Sequence, residues 1–317
     1  MSNDIKNLYN KHINKPCVIV GSSKSLNNFD YQNFKGIKII CGATILRIKK
    51  EFNPNYLISS NTIFPIPNIS KHIKIINSFN KLTWIISDTG TFCDIWDFQK
   101  KNFKKIKNKY FFFDERHFFK KKCVPSKKCC SFIKKYPNRT TINETLSNLA
   151  KVKFEVPIQG ISIAEHALSL ALILGCNPIF IQGVDLPKKH YSAKKINKTY
   201  YGAKSKKADE IIDKSIKLAK KKYKNFYFKN YQIKPYINQI IKNIYFFLTS
   251  KSEYDTDYNN SKKIFNWLGK IAAKKKKKIY ILSENSMLRD IPLFKHMNFV
   301  NIKKRYSKFF KKLDLSY

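Results

Sequence analysis

The chain has no uninterrupted apolar run of about 18 residues or more, so no membrane-spanning helix is predicted. Its opening, MSNDIKNLYNKHINK, has no apolar core of a secretory leader, and the cytoplasm is the expected location. No internal repeat is visible. Neither the dinucleotide fingerprint nor a Walker loop is present, which removes the two strongest phosphate-binding motifs from the argument. Seven cysteines are an odd number for a disulfide framework. Cys123, Cys129 and Cys130 share a Lys-rich stretch, but their spacing matches no zinc pattern and no histidine stands at a ligand interval, so no metal site is expected.

Carboxylates are scarce. Against 63 Lys and Arg there are 21 Asp and Glu, a formal net charge of +42. Such a field suits a polyanion partner, nucleic acid, an anionic membrane surface or an acidic glycan, and draws in a nucleotide-type substrate as well. AT-rich codon usage accounts for the same excess of Lys together with Asn, Ile, Phe and Tyr. The even spread of lysines along the chain favours the second explanation. A length of 317 residues with 43% hydrophobic content allows a sizeable core.

The most informative stretch is Val156–Leu186. Ile163, Ala167, Leu170, Ala171 and Leu174 recur at helical spacing, with Gly160 and Ser162 ahead of them as start signals and Gly175 as a stop. Asn177-Pro178 makes a turn. Ile179–Ile181 reads as a core strand that ends in Gly183-Val184-Asp185. Helix, turn, buried strand and polar strand end describe an open α/β sheet, where ligands sit beyond the carboxyl ends of the strands.

Other segments repeat the pattern. Pro16–Val20 is a strand running into Gly21-Ser22-Ser23-Lys24-Ser25, whose backbone N–H groups and hydroxyls suit an anion. Ile37–Cys41 is a strand followed by a helix from Gly42 to Lys50. Tyr56–Asn61 is a third strand, closing on Ser60 and Asn61. Ile73–Ile76 and Leu82–Ser87 are read as further strands, and Tyr110–Phe113 as another. Residues 96–150 are expected as an insertion or lid, and 1–14 as a polar lead-in. Ala208–Tyr223 and Phe265–Ala273 are helical, Phe226–Phe228 and Ile279–Leu282 are strands, and Asn285 and Ser286 follow the last. The expected fold is α/β and Rossmann-like, with a mainly parallel sheet and helices on both faces. One domain is placed over 15–300, with a basic tail over 301–317.

In a parallel sheet these strand ends converge on one crevice. Its candidate donor-binding residues are Gly21, Ser22, Ser23, Ser25, Gly42, Ser60, Asn61, Ser162, Gly183, Asp185, Asn285 and Ser286. His190, five residues past Asp185, is the candidate general base, and Tyr191 and Tyr201 are candidate donors to a leaving phosphate. His166, among apolar helix residues, is expected in the core.

These same residues carry a family resemblance. VIVGSSKSL, then CGAT and FNPNYLISSN, then GISIAEHALSLALILGCNPIFIQGVDL resemble the 6-hydroxymethylpterin diphosphokinase-like family, which includes motility accessory factors linked to flagellin glycosylation. Bacterial sialyltransferases of glycosyltransferase family 42 look similar over the same segments and over KIYILSENSMLRDIP. The sialyltransferase resemblance implies an inverting, metal-independent glycosyltransferase. It takes a cytidine monophosphate sugar as donor and a glycan or protein as acceptor, and it has no cofactor. The diphosphokinase resemblance implies pyrophosphate transfer from ATP with Mg²⁺. A third expectation, from charge alone, is a non-catalytic nucleic-acid binder. The chain departs from both families. Ser22 stands where the sialyltransferases have Asn, and TYYGA at 199–203 lacks their His. Asn61 stands where the diphosphokinase-like proteins have Asp.

Overall fold

A computed structural model of the chain describes residues 5–21, 34–46, 48, 52–60, 69–88, 105–114, 142–152, 163–185, 253–283 and 286–310. Among them eight strands form one sheet: β1 (Cys17–Val20), β2 (Ile37–Cys41), β3 (Tyr56–Ser60), β4 (Thr83–Asp88), β5 (Tyr110–Asp114), β6 (Ile179–Gln182), β7 (Ile279–Ile281) and β8 (Lys295–His296). Their order is β5-β4-β3-β2-β1-β6-β7-β8, and every pairing is parallel. The α/β, Rossmann-like expectation holds. Continuous apolar runs such as CVIV suit a sheet covered on both faces, and all four of those residues are fully buried. The two residues of β8, Lys295 and His296, are exposed, which blunts that edge against further pairing.

Among the described residues five α-helices flank the sheet: α1 (Ile69–Asn77), α2 (Ile142–Ala150), α3 (Ile163–Ile173), α4 (Glu253–Lys274) and α5 (Phe299–Arg305). Residues of α2, α3 and α4 share one core with Ile5 and Leu8. Residues of α1 and α5 share the other, against Val18, Val20, Phe180 and Tyr280. Among the described residues no helix is long and apolar enough to cross a membrane.

Several expectations are corrected. Ile73–Ile76 is not a strand but part of α1, because parallel neighbours β3 and β4 need a crossover between them. Ile73 and Ile76, one helical turn apart, are its buried contacts. Where a helix is expected from Gly42 to Lys50, the described residues form a 3-10 turn over Gly42–Leu46, and residues 47, 49 and 50 lie outside them. The polar lead-in is part of the fold: Ile5 and Leu8 lie one 3-10 turn apart and are each 1% exposed. At the other end, Phe310 is buried and bridges Phe34, so the core extends beyond 300 as far as that residue. Within 96–150 the described residues supply the edge strand β5 and the core helix α2. Ala208–Tyr223 and Phe226–Phe228 lie outside the described residues.

The N-terminal segment also caps α3. The N–H groups of Asn10, His12 and Asn14 donate to the carbonyls of Ile173, Leu174 and Gly175 at 2.8, 2.7 and 2.9 Å, and Lys277 Nζ donates to Gly175 O at 2.9 Å. These carbonyls have no partner inside the helix. Next to them, His12 Nε2 lies 2.8 Å from Tyr56 Oη. Burial, and then the charges of Lys15 and Lys11, push the His12 pKa from 6.5 down to about 4.

That shift has a stability consequence. Between these two values the unfolded chain binds a proton that the folded chain does not, so stability rises with pH across the window and falls as pH drops from 6.5 to 4. With the ring part-exposed, the loss is on the order of 1 kcal/mol. Urea midpoints measured at pH 6.5 and 4.5 are expected to differ more in wild type than in His12→Gln. Equal differences would exclude His12 as the source.

Candidate functional site

The chain builds its sheet outward in two directions. From β1 it adds β2, β3, β4 and β5 on one side, and then β6, β7 and β8 on the other. The order reverses between β1 and β6. At such a reversal the connections leave for opposite faces and a crevice opens beyond the carboxyl ends of the strands.

Two glycines form that point. Gly21 follows β1 and its N–H donates to Gln182 O at 2.8 Å. A Cβ on Gly21 would lie 2.1 Å from Gly183 O, and one on Gly183 would lie 2.7 Å from Gly21 O. Gly183 also has φ +68, the left-handed region where a side chain is strained. The two strand ends touch backbone to backbone, and no other residue pair fits there.

The next strand end is clipped to this pair. Ser283, after β7, accepts from Gly183 N–H at 3.3 Å. Ser286 Oγ donates to Val184 O at 2.6 Å and accepts from Leu288 N–H at 3.2 Å, capping a 3-10 helix over Met287–Asp290. Met287 N–H donates to Asp185 O at 2.9 Å. The backbone from 183 to 185 is thereby held from the β7 side, and Asp185 is left half-buried at the rim.

The structure brings Gly21, Gly183, Asp185 and Ser286 together. Gly42 stands one strand away at the end of β2, and Ser60 two strands away at the end of β3, in register with Ser87. The Ser286 hydroxyl is engaged by backbone on both sides, so its visible work is to cap and to clip. His166 is 4% exposed with its ring 5.0 Å from that of Phe113, a core position. Ser22, Ser23, Ser25, Asn61, Ser162, His190, Tyr191, Tyr201 and Asn285 lie outside the described residues, as do Cys123, Cys129 and Cys130.

Two residues at this edge escaped the sequence reading: Asp88 and Asp114 close β4 and β5 and stand in register with each other. The pattern that finds both is a short apolar run whose polar end closes on a carboxylate. Among the described residues no three His, Cys, Asp or Glu side chains cluster as a metal site.

No family model matches the chain, and no curated protein matches it. Among solved structures it is similar to the sialyltransferase CstII from Campylobacter jejuni, in complex with the substrate analogue CMP-3FNeuAc. The identity is 15%, the match covers 90% of this chain and 86% of that one, and the TM-score is 0.37.

Proposed function

We propose that the chain is a transferase that binds a nucleotide-activated donor across the carboxyl ends of β1 and β6, and that it transfers a sugar. The observation that carries this reading is the Gly21–Gly183 contact at the reversal of strand order. It leaves backbone, not side chains, at the place where open α/β sheets receive the phosphates of a nucleotide. Transfer of the sugar breaks the bond from its anomeric carbon to the donor phosphate and forms one to an acceptor oxygen. The acceptor hydroxyl gives up its proton, and the phosphate leaves with the bonding pair. His190 is the proposed base, with Tyr191 and Tyr201 as proposed hydrogen-bond donors to the departing phosphate.

A second reading, pyrophosphate transfer with Mg²⁺, gains two carboxylates from the topology, Asp88 and Asp114. At about 4.8 Å per strand they stand roughly 14 and 19 Å from β1, too far to share one metal with phosphates at the β1–β6 reversal. Asp185 is the nearer carboxylate, and alone it is a thin ligand set. This reading therefore ranks second.

The test is a thermal-shift series with CMP, UMP, AMP, GMP and their sugar conjugates, with and without Mg²⁺. A ligand that binds the folded chain raises its melting temperature with concentration. A shift that survives EDTA is expected. A shift that EDTA abolishes would move the Mg²⁺ reading to first place, and no shift with any of the series would remove the donor site. Once a donor is in hand, His190→Ala is expected to lower kcat on the order of 10²-fold with little change in donor affinity. Unchanged turnover would place the base elsewhere.

A further inference from the structure

We infer that Thr44 is a ligand-contact residue whose hydroxyl bonds to the sugar of a bound nucleotide. The inference rests on the donor site proposed above and adds a contact to it. Thr44 stands in the 3-10 turn that follows β2, two residues past Gly42. It is fully buried, and its Oγ1 has no hydrogen-bond partner among the described residues. A threonine in a helical turn ordinarily returns its hydroxyl to a carbonyl one turn back. Thr44 does not. A buried hydroxyl left this way is unfavourable, and valine would fill the same volume without the polar atom. The residue type makes sense if the partner arrives with a ligand.

Its place in the sheet says which part of the ligand. β2 is the neighbour of β1 on the side away from β6. Parallel strands lie about 4.8 Å apart, which is about the reach from a phosphate to the sugar bonded to it. In nucleotide-binding sheets this strand end commonly presents a carboxylate to the ribose diol. Here the stretch Cys41-Gly42-Ala43-Thr44-Ile45 contains none. A single neutral hydroxyl replaces it, one that can donate or accept.

The experiment compares Thr44→Val and Thr44→Ser with wild type, first ligand-free and then with two probes, CMP and inorganic pyrophosphate. Ligand-free Thr44→Val is expected to melt at or above wild type, since it removes an unmet polar group. Its Kd for CMP is expected to rise about tenfold, the loss of one hydrogen bond. Its affinity for pyrophosphate, which has no sugar, is expected to stay unchanged, and Thr44→Ser to restore CMP binding. Ligand-free Thr44→Val melting well below wild type would overturn the inference by showing an internal partner. Equal CMP affinity in variant and wild type would overturn it too, as would a parallel loss of pyrophosphate, and in each case the donor site still stands. Wild type that binds neither probe removes the donor site, and this contact with it.

Discussion

Gly21→Ala is expected to cost about 3 kcal/mol or more, and to push apart the ends of β1 and β6 where the donor site is proposed. The added Cβ meets the Gly183 carbonyl at 2.1 Å and its carbon at 2.7 Å. Both are backbone atoms, so no side chain can swing aside. Either β1 or β6 must shift, and the pair is tied by the Gly21 N–H to Gln182 O bond. Gly183→Ala adds a left-handed φ of +68 to a 2.7 Å clash and belongs in the same class. Domain stabilities run from about 5 to 15 kcal/mol, so either variant loses a large share. The comparison variant is Gly269→Ala in α4, where the nearest atoms are Leu293 Cβ at 3.1 Å and Leu293 Cδ1 and Phe294 Cε1 at 3.2 Å, a crowding that a shift of a few tenths of an ångström relieves. There the gain in helix propensity offsets the crowding, and the change is expected to be small. Urea unfolding with midpoint and slope compared across the three variants decides the matter. A Gly21→Ala midpoint equal to that of Gly269→Ala would mean that the β1 and β6 ends do not touch.

Phe310→Ala is the second large effect, about 3 kcal/mol. Phe310 is 7% exposed, its ring 5.7 Å from that of Phe34 and 5.9 Å from that of Phe299. Lys35 N–H donates to Phe309 O at 2.8 Å beside it. The same segment lays Tyr306 against Phe180 and Tyr280, with the two tyrosine hydroxyls 2.6 Å apart. Removing the Phe310 ring leaves a void under the chain end and loosens the whole strip over β6 and β7. Lys303, Lys304, Arg305 and Lys308 lie along it, so trypsin reports on its detachment. Faster cleavage at these residues is expected in Phe310→Ala, and near wild-type cleavage in Phe310→Leu, which keeps most of the apolar volume. Equal cleavage in all three would show that the ring is not what holds the segment.

The sequence reading reached the sheet because its strands are short, mostly apolar and punctuated. CVIV, IKIIC and IFIQ leave little else to be, and the Gly or polar residue after each strand marked the carboxyl edge of the sheet as well as the turn. It failed where periodicity is ambiguous. Ile73, Ile75 and Ile76 satisfy a strand template and a helix template alike, and only the demand for a crossover between β3 and β4 settles which. Ile5 and Leu8 were hidden in a polar background because two residues are too few to show a period. Asp88 and Asp114 were legible one at a time, but strand register is a long-range fact that no local pattern carries. Ser286 was legible in part for the opposite reason: a serine after a strand reads equally as ligand contact and as helix cap, and its two backbone partners show the cap.

The reversal between β1 and β6 also fixes when the site can exist. Cys17 pairs with Ile179 and Val20 with Gln182, so about 160 residues separate the two halves of the glycine contact. Strands β1 to β5 can find their neighbours in order as the chain leaves the ribosome, each across one connection. The donor site proposed here cannot form until β6 has emerged and paired beside β1, across about 160 residues. During that interval the apolar flank of β1 that β6 will cover has no strand beside it, as an unpaired edge open to other chains. A ligand that grips both glycines would then act on folding yield as well as on stability, by trapping the one pairing that arrives late.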